Sequence, residues 1–153
     1  MNGYAFCRNR LGTFQINYED GSLTGLQLVS SEPDGPGNPT ELTERAASEL
    51  VEYLDGTRKS FDLPILLKGT PFQKKVWMAL CSIPYGETRS YKDIAVQIGI
   101  NNAFRAVGMA NNRNPLMIII PCHRVIGSDG SLTGYACGLE IKRELLSLEK
   151  SNL

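Results

Sequence analysis

The residues best suited to covalent chemistry are a cysteine and a histidine that stand side by side, Cys122 and His123. A cysteine attacks electrophiles as its thiolate, and an unperturbed thiol with a pKa near about 8.5 is ionised to only a few per cent at neutral pH. A neighbouring base would raise that fraction. Adjacent side chains on a β-strand point to opposite faces, so contact between the two requires a turn or a bridging water, and Pro121 favours such a break. The pair is compatible with a nucleophilic cysteine activated by a histidine, although most Cys-His dipeptides are incidental pairings.

The other three cysteines, Cys7, Cys81 and Cys137, match no disulfide framework, and the chain has no Cys-x-x-Cys pair. We expect them to be small buried residues, and we expect no metal site. The N-terminus lacks a basic stretch followed by an apolar segment, and the longest apolar run, residues 116–120, is too short to span a bilayer. These features favour a cytoplasmic protein, or a nuclear one in a eukaryote, with no membrane partner.

The net charge of zero conceals a difference between the two halves of the chain. Residues 1–64 carry 5 Lys and Arg against 10 Asp and Glu, whereas residues 65–153 carry 11 against 6. A basic half suits a polyanion such as DNA, although an excess of this size is common on protein surfaces. The charge distribution therefore permits a nucleic-acid partner without establishing one.

The first part of the chain predicts a small sheet and one helix. Residues 4–8, 13–18 and 23–29 are rich in aromatic and β-branched residues and are separated by turn signals. A loop rich in proline and glycine follows, and Thr40 can then cap a helix that Gly56 ends. A short linker leads from this region to the second half.

The second half predicts several short helices. Thr70 can cap the first, and Ser90 with Asp93 forms a capping-box-like pair at the start of the next. Asn102 can cap a third helix, residues 103–111, which follows a turn that contains glycine. Two short helices joined in this way are typical of a helix-turn-helix, although many such pairs never touch DNA.

The nucleophile and the last helix lie beyond this helix pair. Residues 116–120 read as a buried strand that delivers the chain to Cys122, and turn signals over residues 127–134 predict a wing hairpin. The last helix runs over about residues 140–149, with Ile141, Leu145 and Leu148 as its core stripe.

The strongest functional signal is a set of motifs that occupies most of residues 53–149. In Pro-Cys-His-Arg-Val at residues 121–125 the cysteine lies eight residues after an asparagine, and Gly-Thr-Pro-Phe-Gln precedes Val-Trp within residues 69–77. Further motifs occupy residues 83–91 and 105–108. In order and spacing these motifs resemble those of the O6-alkylguanine-DNA alkyltransferases, also called methylated-DNA–protein-cysteine methyltransferases. The first 50 residues match this family only loosely.

The resemblance implies an α/β fold in two lobes. Residues 1–66 would form a small N-terminal lobe of β-sheet and helix with RNase H-like topology. Residues 67–153 would form a mainly helical, winged helix-turn-helix lobe that carries the active site. The partner would be double-stranded DNA containing an alkylated guanine, and the protein would act as a monomer. No cofactor is implied, since the DNA itself carries the alkyl group.

The resemblance also implies a reaction. Cys122 would accept the alkyl group of O6-alkylguanine, and also of O4-alkylthymine, in one irreversible turnover. His123 would deprotonate the thiol through a water and Glu149 would hold the imidazole. Asn114 would link the helix-turn-helix to the active-site strand, and Tyr91 would donate a proton to the base. A carboxylate near the C-terminal end of a helix opposes the helix dipole, so a partner for Glu149 is expected.

DNA binding is assigned by the same resemblance to residues of the helical lobe. The damaged base would be flipped out through the minor groove, with Arg105 filling the vacated stack and Tyr91 helping to rotate the nucleotide. Contacts to the DNA backbone would involve Lys92, Ser128 and Thr88.

The pocket for the flipped base would be formed around the wing. Tyr135 would lie over the guanine, and the backbone carbonyls of Cys122 and Val125 would accept its amino group. Ala136 stands where several relatives carry serine, so only its backbone N–H could bond the base. The size of Cys137 would tune the tolerance for bulky alkyl groups.

Three other functions are compatible with parts of this pattern. The first is a lesion-binding protein of the alkyltransferase-like class, but this class lacks the acceptor cysteine that Cys122 would provide. The second is a cysteine hydrolase using Cys122 and His123, but no oxyanion-hole motif is evident. The third is a helix-turn-helix regulator with a redox-sensing cysteine, for which 153 residues leave little room for a dimerisation or effector element.

Overall fold

The computed structural model describes residues 1–31, 33–132, 135 and 138–153 of the chain and confirms the predicted α/β class, with a small N-terminal antiparallel sheet and a helical C-terminal part. None of the described helices combines the length and the apolarity that a bilayer crossing requires. The elements in chain order are β1 (Asn2–Asn9), β2 (Gly12–Glu19), β3 (Ser22–Leu28), α1 (Glu41–Leu54), α2 (Pro71–Cys81), β4 (Arg89–Ser90), α3 (Tyr91–Gln97), α4 (Phe104–Asn112), a 3₁₀ turn (Cys122–Arg124), β5 (Val125–Ile126) and α5 (Leu139–Ser151).

The contacts divide the chain into two compact units. The first unit contains Met1–Lys68 together with Pro115–Met117, and the second contains Gly69–Asn114 and Ile118–Leu153. The lobes inferred from the sequence, residues 1–66 and 67–153, stay a prediction about how the chain divides into domains.

The sheet of the first unit is an antiparallel meander in the order β1-β2-β3. Phe14, Ile16 and Tyr18 alternate along β2 and are all buried, as the two-residue period of a strand requires. α1 contacts β1 and buries Leu50 and Tyr53. The three strands and the helix predicted for this region are confirmed.

The apolar run at residues 116–120 is not the strand that the sequence predicts. Leu116 forms an isolated parallel bridge to Leu26, and a turn follows. Within that turn Ile118 has φ 72°, a conformation that is rare for a β-branched residue. The run is buried as expected, with Leu116 and Ile120 fully inaccessible. An apolar run therefore indicated burial correctly but not an extended backbone.

Of the helices α2, α3 and α4, the first two begin at residues whose side chains cap the helix. Thr70 and Ser90 each form a complete capping box, the latter with Asp93. Asn102 was predicted to cap α4, which is wrong: the N-cap is Ala103, and its side chain makes no capping bond. α4 depends instead on packing, because the Nε1 of Trp77 donates to the carbonyl of Ala110 at 2.9 Å in the buried contact between α2 and α4.

Gly37 and Gly21 offer a test of the packing in the first unit. Both have positive φ, +76° and +84°, but a Cβ at Gly37 would lie 2.5 Å from the Tyr4 carbonyl oxygen whereas one at Gly21 would meet nothing within 4 Å. We expect Gly21→Ala to lower the free energy of unfolding by about 1 kcal/mol and Gly37→Ala by at least about 2 kcal/mol, since only the latter adds a clash with backbone. Urea denaturation measures both, and equal losses would contradict the close approach.

Candidate active site

Cys122 lies in a single turn of 3₁₀ helix rather than on an extended strand. The backbone N–H of Arg124 donates to the Pro121 carbonyl at 3.0 Å, and the chain becomes extended again at Val125, the first residue of β5. The break expected at Pro121 is therefore confirmed, and the strict alternation that would separate Cys122 from His123 is removed. The thiol-bearing side chain is buried, with 4% of its surface exposed.

His123 is fully buried and contacts a carboxylate. Its Nε2 lies 2.6 Å from Oε2 of Glu149, which is also inaccessible to solvent. Because a carboxylate accepts, this geometry places a proton on Nε2 and leaves Nδ1 as the nitrogen that can take up another. Burial lowers the pKa of His123 below its usual value of 6.5, although Glu149 opposes this shift. The imidazole is thus suited to act as a neutral base.

Glu149 has further partners besides the imidazole. Arg124 binds both of its carboxylate oxygens, with Nε to Oε1 at 2.8 Å and Nη2 to Oε2 at 2.9 Å. The backbone N–H of Gly86 donates to Oε1 at 3.1 Å. These contacts supply the partner that was expected for a carboxylate at this end of a helix. The part played by Arg124 was missed, although the residue belongs to the motif at residues 121–125.

The buried face of α5 differs from the predicted apolar stripe. Leu145 is buried as expected, but Ile141 and Leu148 are only half-buried, and the fully buried positions beside Leu145 are Lys142 and Glu149. These three residues follow a helical spacing of three and four, so they share one face. Glu149 was already assigned to the imidazole by the family resemblance, whereas Lys142 was missed, and its place on the same face as a core leucine was the available signal.

Lys142 places a buried ammonium group beside Val125, three residues after Cys122. Its Nζ donates to the carbonyl of Val125 at 2.5 Å and lies 5.9 Å from the centre of the Tyr91 ring. Burial lowers the pKa of Lys142 to about 8, and the negative charge of a Cys122 thiolate opposes this shift. The carbonyl that the sequence assigned to the base pocket therefore has a lysine partner in this structure.

Two asparagines hold the backbone on either side of Cys122. The Nδ2 of Asn114 donates to the Ile120 carbonyl at 2.8 Å, and that of Asn111 donates to the Cys122 carbonyl at 3.3 Å. Asn114 thus joins the segment after α4 to the segment that leads into Cys122. Its contribution to the reaction stays a prediction. Asn111 was missed, and its spacing of three from Asn114 was the available signal.

The residues assigned to DNA binding are more exposed than the buried cluster around His123. Tyr91 is half-buried at the first position of α3. The other four are exposed on the second unit: Thr88 before β4, Lys92 in α3, Arg105 in α4 and Ser128 in the turn after β5.

The base pocket is described only in part. Val125 is fully buried and Tyr135 is half-buried. Ala136 and Cys137 lie outside the described residues, as does part of the predicted wing. Within the described part of that segment, the N–H of Gly127 donates to the Ser131 carbonyl at 2.8 Å.

The cysteines outside the motif differ from the expectation of small buried residues. Cys7 is half-buried in β1, and Cys81 is exposed at the end of α2, so the expectation is wrong for Cys81. Burial raises the pKa of Cys7 to about 11, which disfavours its thiolate. Cys137 lies outside the described residues.

Comparison with known proteins gives one consistent result. A family model described as the DNA binding domain of 6-O-methylguanine DNA methyltransferase matches residues 71–151. The methylated-DNA–protein-cysteine methyltransferase of Methanosarcina acetivorans is 56% identical over 153 residues, which cover 97% of this chain and 98% of the relative. The constitutive methylated-DNA–protein-cysteine methyltransferase of Bacillus subtilis is 46% identical over 159 residues, with 98% and 96% covered.

A solved structure agrees with the sequence relatives. The crystal structure of Mycobacterium tuberculosis OGT in complex with DNA is 45% identical, has a TM-score of 0.89 and matches 97% of this chain and 93% of its own. The family and the enzyme class predicted from the motifs are thereby confirmed. A family model over more than half of the chain and relatives matched along nearly their whole length lead to one assignment: the chain belongs to the methylated-DNA–protein-cysteine methyltransferases, a family of DNA repair alkyltransferases.

Proposed function

We propose that this chain repairs duplex DNA by transferring the alkyl group of O6-alkylguanine, and of O4-alkylthymine, to Cys122 in a single irreversible turnover. The observation that carries the proposal is the buried His123–Glu149 pair, 2.6 Å between Nε2 and Oε2, in the same turn as the only cysteine of the motif. Membership of the family supplies the substrate class, and the relative bound to DNA supports the partner.

The reaction begins with the removal of the thiol proton. Nδ1 of His123 takes the proton of Cys122 through a water, while Nε2–H donates to Glu149 and the carboxylate stabilises the imidazolium that forms. The thiolate then attacks the alkyl carbon. A sulfur–carbon bond forms, the carbon–oxygen bond breaks, and its electron pair stays on the guanine. Tyr91 donates a proton to the base and is reprotonated from solvent.

The product accounts for the single turnover. A thioether at Cys122 has no leaving group that water could displace, so the thiol is not regenerated. The alkyl group arrives with the DNA, and the reaction therefore needs no cofactor. One chain carries the complete set of reacting groups, and we propose that it acts as a monomer on one lesion.

The buried position of the nucleophile demands that the damaged base leave the DNA helix. The target atom is inaccessible inside a duplex, so the nucleotide is rotated outward through the minor groove. Arg105 is exposed near the start of α4, the second helix of the α3–α4 pair, where it can occupy the vacated stack. Tyr91 assists the rotation, Thr88, Lys92 and Ser128 contact the DNA backbone, and Tyr135 covers the flipped base together with the segment that contains Ala136 and Cys137.

Intact mass spectrometry tests the transfer itself. The protein is incubated with a duplex that contains one O6-methylguanine, and we expect the mass to rise by one methyl group per chain, located on Cys122 by peptide mapping. Cys122→Ala should show no increase. Cys81→Ala removes an exposed cysteine and should behave as the unmodified protein does. Binding to the lesion with no change in mass would contradict the transfer and favour a lesion-binding protein.

Replacement of Glu149 by glutamine tests the buried pair. The amide cannot balance Arg124 or stabilise an imidazolium, so we expect the free energy of unfolding to fall by about 3 kcal/mol and the single-turnover rate to fall by at least about tenfold. Glu87→Gln is the matched control, because Glu87 forms an exposed pair with Arg89 at 3.1 Å. That control should cost less than about 0.5 kcal/mol and leave the rate unchanged. Equal effects of the two substitutions would contradict the role of Glu149.

Comparison of two substrates tests the role of Arg105. O6-methylguanine as a free base needs no extrusion from a stack, whereas O6-methylguanine in a duplex does. We expect Arg105→Ala to slow transfer from the duplex by at least about tenfold, a loss of about 1.4 kcal/mol in transition-state stabilisation, and to leave transfer from the free base unchanged. Lys75→Ala, at another exposed cation, should affect neither. Equal slowing with both substrates would show that Arg105 does not act on the DNA.

A further inference from the structure

We propose that Arg124 is a positioning residue that, through Glu149, keeps the proton of His123 on Nε2 and keeps the imidazole neutral. The use of this property in alkyl transfer rests on the function proposed above. The property itself belongs to the free protein and can be measured without DNA.

The guanidinium of Arg124 is held in place on several sides. Besides its two bonds to Glu149, its Nη1 donates to the Ile83 carbonyl at 2.8 Å. Its central carbon lies 5.6 Å from the centre of the Tyr85 ring, which offers a face to the cation. Arg124 is only 8% exposed. A guanidinium group held in this way also fixes the plane and the position of the Glu149 carboxylate, because it binds both carboxylate oxygens.

The position of the carboxylate decides which ring nitrogen of His123 is protonated. Oε2 of Glu149 accepts from Nη2 of Arg124 at 2.9 Å and faces Nε2 of His123 at 2.6 Å. An ionised carboxylate has no proton to donate, so Nε2 must be the donor. The neutral ring then presents Nδ1 as its basic nitrogen. If the carboxylate were free to rotate away, this choice of tautomer would be lost.

The charges around His123 explain why the ring stays neutral. Burial is the largest effect and lowers its pKa, Glu149 raises the pKa, and the cations Arg124 and Lys142 lower it. Arg124 lies in the same turn as His123, whereas Glu149 and Lys142 come from α5. The single negative charge of Glu149 is already balanced by Arg124. Protonation of His123 would place a second positive charge beside the same buried carboxylate, and it is therefore disfavoured. Without Arg124, an imidazolium would form a simple ion pair with Glu149 and would be favoured.

A purely structural role makes a different prediction. If Arg124 served only to connect α5 with the loop after α2, its replacement would lower stability but would leave the titration of a correctly folded protein unchanged. The protonation state and tautomer of His123 are therefore the decisive readouts.

The chain contains a single histidine, which makes the measurement direct. We would label the protein with ¹⁵N-histidine and record long-range ¹H–¹⁵N correlation spectra as a function of pH. These spectra report both the tautomer and the pKa, and no residue assignment is needed. The samples are the unmodified protein, Arg124→Gln, Arg124→Lys and the control Arg58→Gln, which removes another arginine–glutamate pair, Nε to Oε1 of Glu52 at 2.8 Å in the first unit.

In the unmodified protein we expect the neutral ring of His123 to carry its proton on Nε2. We also expect the pKa of His123 to lie below 6.5, the usual value for a histidine. Arg124→Gln should raise the pKa of His123 by about one unit, a tenfold change in the protonation equilibrium. Arg124→Lys retains the charge and should stay closer to the unmodified protein, while Arg58→Gln should match it.

Either of two results would overturn the proposal. One is a proton on Nδ1 in the unmodified protein, which requires no variant. The other is a folded Arg124→Gln whose histidine keeps its proton on Nε2 and keeps the whole of its pKa shift; if that variant does not fold, the tautomer of the unmodified protein decides. Failure of alkyl transfer to Cys122 in the mass experiment would refute the proposed function and leave this result standing. If transfer does occur, the low-pH limb of its rate profile should move to higher pH in Arg124→Gln.

Discussion

A single buried carboxylate, that of Glu149, is the group on which the second unit and its site depend. An isolated charge in a protein interior costs several kcal/mol, and the cost is offset only by good partners. Here the partners are Arg124, His123 and the backbone N–H of Gly86. They come from the 3₁₀ turn and from the loop after α2, while the carboxylate comes from α5. The carboxylate is satisfied only when these three segments are in place, so the same contacts that stabilise the fold also orient the base.

The segment that carries Cys122 is held largely by side chains rather than by a strand ladder. Its backbone carbonyls at residues 120, 122 and 125 accept from Asn114, Asn111 and Lys142 respectively. Buried carbonyls need partners, and the turns at Ile118 and at Cys122 interrupt regular strand pairing before β5 begins at Val125. Polar side chains replace the ladder and hold the backbone on either side of Cys122. The irregular backbone is therefore part of how the site is built.

Local chemistry explains which elements could be predicted. The capping boxes at Thr70 and Ser90 depend on residues three apart, so the sequence was sufficient to place the starts of α2 and α3. The same reasoning failed at Asn102, because α4 begins one residue later than a cap there would require and depends on contacts such as that of Trp77. The run at residues 116–120 failed for a related reason: hydrophobicity reports burial, whereas the positive φ of Ile118 depends on the surrounding packing.

By itself the sequence identified the family and predicted the nucleophile and the adjacent base, because residue types and their spacing within residues 121–125 are properties of the chain alone. The family resemblance assigned Glu149 to His123, 26 residues away, and the tertiary structure places the two within hydrogen-bonding distance. Only the tertiary structure decided that Arg124 and Lys142 are buried charges rather than surface ones. A charged side chain has the same formula in water and in a protein interior, and its pKa and its partners follow from the elements that pack around it.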